Sequence, residues 1–122
     1  MSSESDVGAN ILVVEDDLVV GPLIVRMLES AGYTATLAPD GDAARAALQD
    51  ARYDLTLADI VVGRQDGHEI SETLVAMQPD LRVVLMSGYG VPRYGADPNA
   101  PMLSKPFKAD ELVARLERAL AD

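Results

Sequence analysis

The sequence predicts an α/β fold: a doubly wound, five-stranded parallel sheet covered by helices on both faces. Three observations carry that expectation. Short apolar runs recur five times along the 122 residues, and stretches of helical period separate them. The strongest runs, Ile11–Val14 and Val83–Met86, are apolar without alternation, as strands buried on both faces must be. Carboxylates, a hydroxyl and a lysine follow directly after these runs instead of being scattered.

Residues 1–9 read as a polar tail without periodicity, and 10–122 as one domain. Ile11–Val14 is the first strand. Val20, Leu23, Ile24, Met27, Leu28 and Ala31 then form an i, i+3, i+4, i+7 stripe, so a helix facing a core. Pro22 is tolerated early in that helix, Gly32 ends it, and Asp17 is expected to cap it. Thr34–Leu37 is a weaker second strand, followed by a turn at Asp40-Gly41. Ala44, Ala47 and Leu48 give the second helix a face of small residues. Leu55–Ala58 is the third strand. Ile70, Leu74 and Met77 mark the third helix, ended by Pro79, with His68 exposed near its start.

Val83–Met86 is the fourth strand. The stretch 87–101 carries Gly88, Gly90, Gly95, Pro92, Pro98 and Pro101, so the fourth of five helices is expected to be short or irregular. Met102-Leu103 is a brief fifth strand, and Leu112, Val113, Leu116 and Leu120 mark the closing helix. Right-handed crossovers then favour the flavodoxin-like strand order 2-1-3-4-5, with a site where strands 1 and 3 diverge. No output domain is expected after residue 122.

Composition narrows the function classes. The hydrophobic fraction of 48% suffices for a core, but only 4% of residues are aromatic, so aliphatic side chains must build it. No cysteine is present, which excludes disulfides and thiolate metal sites. No apolar run approaches the roughly 20 residues that span a bilayer, and the start lacks a signal-peptide pattern. A net charge of −10 argues against binding to nucleic acid, whose phosphates need clustered Lys and Arg. The expectation is a soluble, cytoplasmic protein that binds neither nucleic acid nor membrane. Lysine is scarce, only Lys105 and Lys108, so its placement carries weight.

The chemistry converges at the carboxyl ends of the strands. Strand 1 runs into Glu15-Asp16-Asp17, strand 3 into Asp59, strand 4 into Ser87, and strand 5 into Ser104-Lys105. A parallel sheet gathers these ends at one edge. Glu15, Asp16 and Asp59 packed together would repel one another, and a hard divalent cation such as Mg²⁺ would relieve that repulsion. Asp59 could then attack an electrophilic phosphorus, with Lys105 and Ser87 holding phosphoryl oxygens.

The segments Ile11–Asp17, Tyr53–Asp59, Asp66-Gly67, Val83–Gly88 and Ser104–Phe107 resemble the receiver domain of two-component response regulators. The match runs over nearly the whole chain, about residues 10–121. The resemblance implies that Asp59 is the phosphoacceptor, served by the phosphohistidine of a sensor histidine kinase or phosphotransfer protein. It implies Mg²⁺ held by Asp16 and Asp59 directly, by Glu15 through water and by the Val61 carbonyl, with Ser87 and Lys105 contacting the phosphoryl group. Signalling would then run through a downstream target protein, and the chain would act on no substrate beyond its own phosphorylation and dephosphorylation.

Two positions depart from the family pattern. Met102 stands where most receivers carry an aromatic switch residue, and Gly63 stands where a proline is usual. The Gly88-Tyr89-Gly90 loop resembles a subgroup of stand-alone regulators. Tyr89 and the 87–101 loop are therefore candidate switch elements alongside Met102. Val61 and Tyr89 stand at the two positions flanking the acceptor that, in relatives, control access of hydrolytic water, so the resemblance implies slow loss of phosphate. The alternative within the fold is a pseudo-receiver that binds partners without being phosphorylated. An aspartate-nucleophile phosphohydrolase is disfavoured because no Asp-x-Asp pair follows strand 1. A flavin carrier is disfavoured because acidic residues there would repel a phosphate.

Overall fold

The computed structural model describes residues 8–88, 102–105 and 107–121. Within them the order is β1 (Asn10–Val14), α1 (Val20–Ser30), β2 (Thr34–Ala38), α2 (Gly41–Asp50), β3 (Leu55–Asp59), β4 (Val61–Val62), β5 (Gln65–Asp66), α3 (Gly67–Met77), β6 (Arg82–Ser87), β7 (Met102–Ser104) and α4 (Ala109–Ala121). Five strands form one parallel sheet in the order β2-β1-β3-β6-β7, which is the flavodoxin-like order expected. The expected short or irregular helix, with Tyr89, falls outside the described residues.

Successive strand residues point to opposite faces, so each central strand feeds two cores. Ile11, Val13, Leu55, Leu57, Val84 and Met86 pack on one face with Ile24 and Leu28 of α1 and Leu112 and Leu116 of α4. Leu12, Val14 and Ala58 pack on the other with Ala44 of α2 and Ile70 and Leu74 of α3. All four residues from Ile11 to Val14 are fully buried, which is why that run shows no polar alternation. Each such aliphatic side chain contributes about 1.5–3 kcal/mol on burial, and this fixes the register.

The structure corrects three local expectations. The buried residues of α1 are Gly21, Ile24 and Leu28, while Leu23 is 47% exposed and Ala31 lies beyond the helix on the surface. Close approach explains the shift: a Cβ on Gly21 would stand 3.0 Å from Leu37, so the helix leans on β2 at its glycine. Asp17 does not occupy the cap position, which is Val19, but its Oδ1 accepts the amides of Val19 and Val20 at 2.8 and 2.9 Å. It does the chemistry of a cap across an extra turn that precedes the helix. His68 is half-buried rather than exposed, and its amide donates to Asp66 Oδ1 at 2.8 Å, so Asp66 is the cap of α3. Asp40, expected in a turn, likewise caps α2 by accepting the Ala43 amide.

A small antiparallel hairpin, β4–β5, was not foreseen. Two-residue strands have no periodicity to betray them. Its connection is Gly63-Arg64, with Gly63 at φ +61°, the sign that a two-residue hairpin demands of its first central residue and that glycine adopts freely. A proline, whose φ is locked negative, would not fit there.

Candidate functional site

The carboxyl edge of the sheet collects the residues that the sequence singled out. Asp59 ends β3, between β1 and β6, and Ile60 extends the ladder by donating to the Met86 carbonyl at 3.0 Å. Glu15 follows β1 directly, and its amide donates to Ala38 at 3.1 Å. Ser87 ends β6, buried, with its carbonyl accepting the Lys105 amide at 2.7 Å. Parallel pairing of β6 with β7 thus turns Lys105 inward.

Three of these side chains meet. The Lys105 ammonium donates to Asp59 Oδ2 at 2.7 Å and to Glu15 Oε1 at 3.0 Å. Glu15 and Asp59 are both buried, and the lysine side chain is only 19% exposed. Glu15 Oε2 accepts the Asp17 amide at 3.1 Å, and Asp59 Oδ1 accepts the Val61 amide at 3.3 Å. Burial pushes the Glu15 carboxyl above its ordinary range, although hydrogen bonds from Lys105 and Asp17 pull the other way. Burial favours a neutral Lys105, but its bonds to Asp59 and Glu15 and their charges together outweigh that and raise its pKa. A single ammonium therefore holds two crowded acids in place.

Asp16 stands apart from this cluster. It is exposed, and among the described residues no three acids or histidines form a group arranged to hold a metal ion. Lys105 bridges Glu15 and Asp59 by hydrogen bonds to both, while the Asp16 side chain is exposed to solvent. The donor chemistry nevertheless suits a hard cation, being oxygen throughout. Asp16 also reaches toward the loop after β3: its Oδ2 lies 3.8 Å from where a Cβ on Gly63 would be. Val61 is exposed beside the cluster. The backbone of Met102 lies in β7, next to β6.

The Asp66-Gly67 pair now has a structural reason. A Cβ on Gly67 would stand 1.9 Å from the Asp59 carbonyl oxygen, and the Gly67 amide donates to Ile60 at 2.8 Å. Only glycine lets α3 start against the backbone of Asp59. Sequence reasoning missed Gln65, whose Oε1 accepts the Gly41 amide at 2.9 Å. A polar residue in a two-residue strand gives no signal of that kind.

A family model described as the response regulator receiver domain matches residues 11–117. The chain is 35% identical to the response regulator receiver protein CpdR of Brucella abortus over 90% of its own length and 95% of that protein. It is 29% identical to the transcriptional regulatory protein RprY of Bacteroides fragilis, spanning 96% of this chain but about half (51%) of the relative. Among solved structures, it superposes on the chemotaxis protein CheY4 of Vibrio cholerae with a TM-score of 0.82 at 25% identity, covering 92% of this chain and 98% of the other. NtrX of Brucella abortus gives a TM-score of 0.81 at 35% identity, with 93% of this chain matched to 27% of that one.

Proposed function

Because this chain belongs to the response regulator receiver domain family, we propose that Asp59 accepts a phosphoryl group from a phosphohistidine of a sensor histidine kinase or phosphotransfer protein. The observation that supports this most is the Lys105 ammonium, 2.7 Å from Asp59 in a buried edge that four strands converge on. In the transfer, an Asp59 carboxylate oxygen forms a bond to phosphorus while the P–N bond to imidazole breaks and the imidazole takes up a proton. Asp59 is oriented for this by Lys105 and the Val61 amide, so little rearrangement is needed before attack. Lys105 then stands where a phosphoryl oxygen would carry charge, and the Ser87 hydroxyl at the end of the adjacent strand is the further contact.

Glu15, Asp16, Asp59 and the Val61 carbonyl are the oxygens that would hold Mg²⁺, which supplies positive charge for the incoming phosphate. The chain's own residues prepare that edge by keeping Asp16 in solvent and Glu15 within reach of exchange from Lys105. The protein acts on no separate substrate, and its output is altered binding to a downstream target protein. No helix of the described residues is long and apolar enough to cross a membrane.

Acetyl phosphate with Mg²⁺, followed by intact-mass measurement, tests the reading. One phosphate should be gained by the native chain and none by Asp59→Asn. A native chain that gains nothing, in the presence of both reagents, would overturn the proposal and favour a pseudo-receiver.

A further inference from the structure

The loop after Asp59 is tied at one end to the Asp59 carboxylate and at the other to α2. Its first link is the Val61 amide, which donates to Asp59 Oδ1 at 3.3 Å. Val61 pairs with Asp66 and Val62 with Gln65 around the Gly63-Arg64 turn. The second link is Gln65, whose Oε1 accepts the amide of Gly41 at 2.9 Å. Gly41 opens α2, where backbone amides have no partner within the helix. The local cap Asp40 serves Ala43, so Gln65 supplies from a distance what the neighbouring sequence does not. The approach is close: a Cβ on Gly41 would lie 3.3 Å from Gln65 Nε2 and Oε1, and 3.2 Å from Ile70 of α3. A groove of about 510 Å³ opens beside this contact, with Arg45 and Arg64 among its lining residues.

We infer that the β4–β5 hairpin relays the chemical state of Asp59 to the first turn of α2, with Gln65 as the positioning residue that couples them. The inference rests on Asp59 being the phosphoacceptor. The two helices differ in how they meet this loop. Gly67 is wedged against the Asp59 backbone, so α3 is fixed to the end of β3 whatever the carboxylate carries. The hairpin has only two residue pairs and one buried apolar side chain, Val62, so its few polar links set its position. At 3.3 Å the Val61 contact is long for an N–H···O bond. A phosphoryl group on Asp59 brings new acceptor oxygens to that amide. Val62 and Gln65 are paired across the turn and must move with it. The Gly41 amide then gains or loses its cap, and the groove between α2 and the hairpin changes shape.

Amide hydrogen exchange of the full chain, read by NMR, tests the coupling in four proteins: native, Asp59→Ala, Gln65→Ala and the double variant. Gln65→Ala should lower protection of the Gly41 amide by about fivefold to tenfold, the size of one net hydrogen bond, while the Ala47 amide in mid-helix is unchanged. Asp59→Ala should lower Gly41 protection by about twofold or more, and should lower it no further once Gln65 is gone. Independent, additive effects of the two substitutions would overturn the relay.

Phosphorylation supplies the second arm. With acetyl phosphate and Mg²⁺, the Gly41 resonance should shift in the native chain and stay put in Gln65→Ala, at equal phosphate uptake by mass. If Gln65→Ala takes up phosphate and Gly41 still shifts, the relay is wrong while the acceptor assignment stands. If the native chain gains no mass, the acceptor assignment fails, and the four-protein comparison decides the relay by itself.

Discussion

At the amino end of the sheet, polar groups are satisfied by one another. The Gln78 side chain donates to the Tyr53 carbonyl at 2.6 Å and accepts the Tyr53 amide at 3.1 Å, so a side-chain amide stands in for a missing strand residue. Asn10 donates its backbone amide to Asp54 at 2.7 Å and its side-chain amide to the Arg52 carbonyl at 2.8 Å, and Arg52 pairs with Asp80. At the carboxyl end the balance differs: two buried acids, Glu15 and Asp59, share one ammonium. The first arrangement closes the fold with neutral pairs and exposed charges. The second leaves negative charge concentrated at a place where a cation can relieve it. Stability should therefore be lost by disturbing the amino end, and function by disturbing the carboxyl end.

The largest effect breaks this division on purpose. Gly67→Ala would push a methyl into the Asp59 carbonyl, a contact of 1.9 Å that only backbone movement can relieve. We expect a loss of about 4 kcal/mol or more, measured by urea unfolding, with the cost arising at the functional end of the sheet. A variant within about 1 kcal/mol of the native chain would mean that α3 does not rest on β3 as described.

Gln78→Ala sharpens the contrast. It would leave the buried amide and carbonyl of Tyr53 without their partner, at about 1–3 kcal/mol for each group left unsatisfied. Phosphate uptake at Asp59, followed by intact mass in native buffer, should be unchanged. A fall in uptake at full foldedness would show that the two ends are not separable.

Glu15→Gln should act in the opposite direction on stability. The carboxamide, like the protonated acid, keeps one acceptor oxygen, for Lys105 or for Asp17 but not for both, and the charge is gone. Because burial raises the Glu15 pKa above 4.5, the folded protein favours the protonated acid. That contribution is full below the unfolded pKa and is lost as pH rises through the folded value. Without metal, the native chain and the variant should therefore unfold alike at low pH, and the variant should be the more stable at neutral pH. Equal stability at neutral pH, or a gap that widens on acidification, would remove the picture of a strained acid.

Much of this contrast was legible in the sequence, and the reason is positional. A strand buried on both faces must be a continuous apolar run, so Ile11–Val14 announced both itself and the place where Glu15 and Asp16 emerge. Asp59 and Lys105 were readable in the same way. Gln78 was not, because its value comes from partnering Tyr53, 25 residues earlier in the chain, at a helix end that no propensity locates to the residue. The hairpin escaped because Val61–Val62 and Gln65–Asp66 are too short for any periodicity. Leu23 was misplaced because the apolar stripe was read wider than the arc that α1 buries.

The smallest effect concerns Asp80, at the amino end. Its charge has some desolvation to overcome, but the hydrogen bond from Gln78 and the paired Arg52 prevail and lower its pKa from 3.8. A lowered carboxylate pKa contributes stability above the unfolded value and loses it as pH falls through the folded value. Asp80→Asn should accordingly show a slightly lower urea midpoint than the native chain at pH 7 and the same midpoint near pH 2. Both side chains of the Arg52–Asp80 pair are largely exposed, so about 1 M salt should shrink the pH 7 difference as well. Phosphate uptake should not change. A midpoint difference that ignores both pH and salt would mean that Asp80 acts by holding Gln78 in place, through the 3.2 Å bond from its amide, and not through charge. The amino end would then be one connected clamp around Tyr53 rather than a neutral pair with an ion pair beside it.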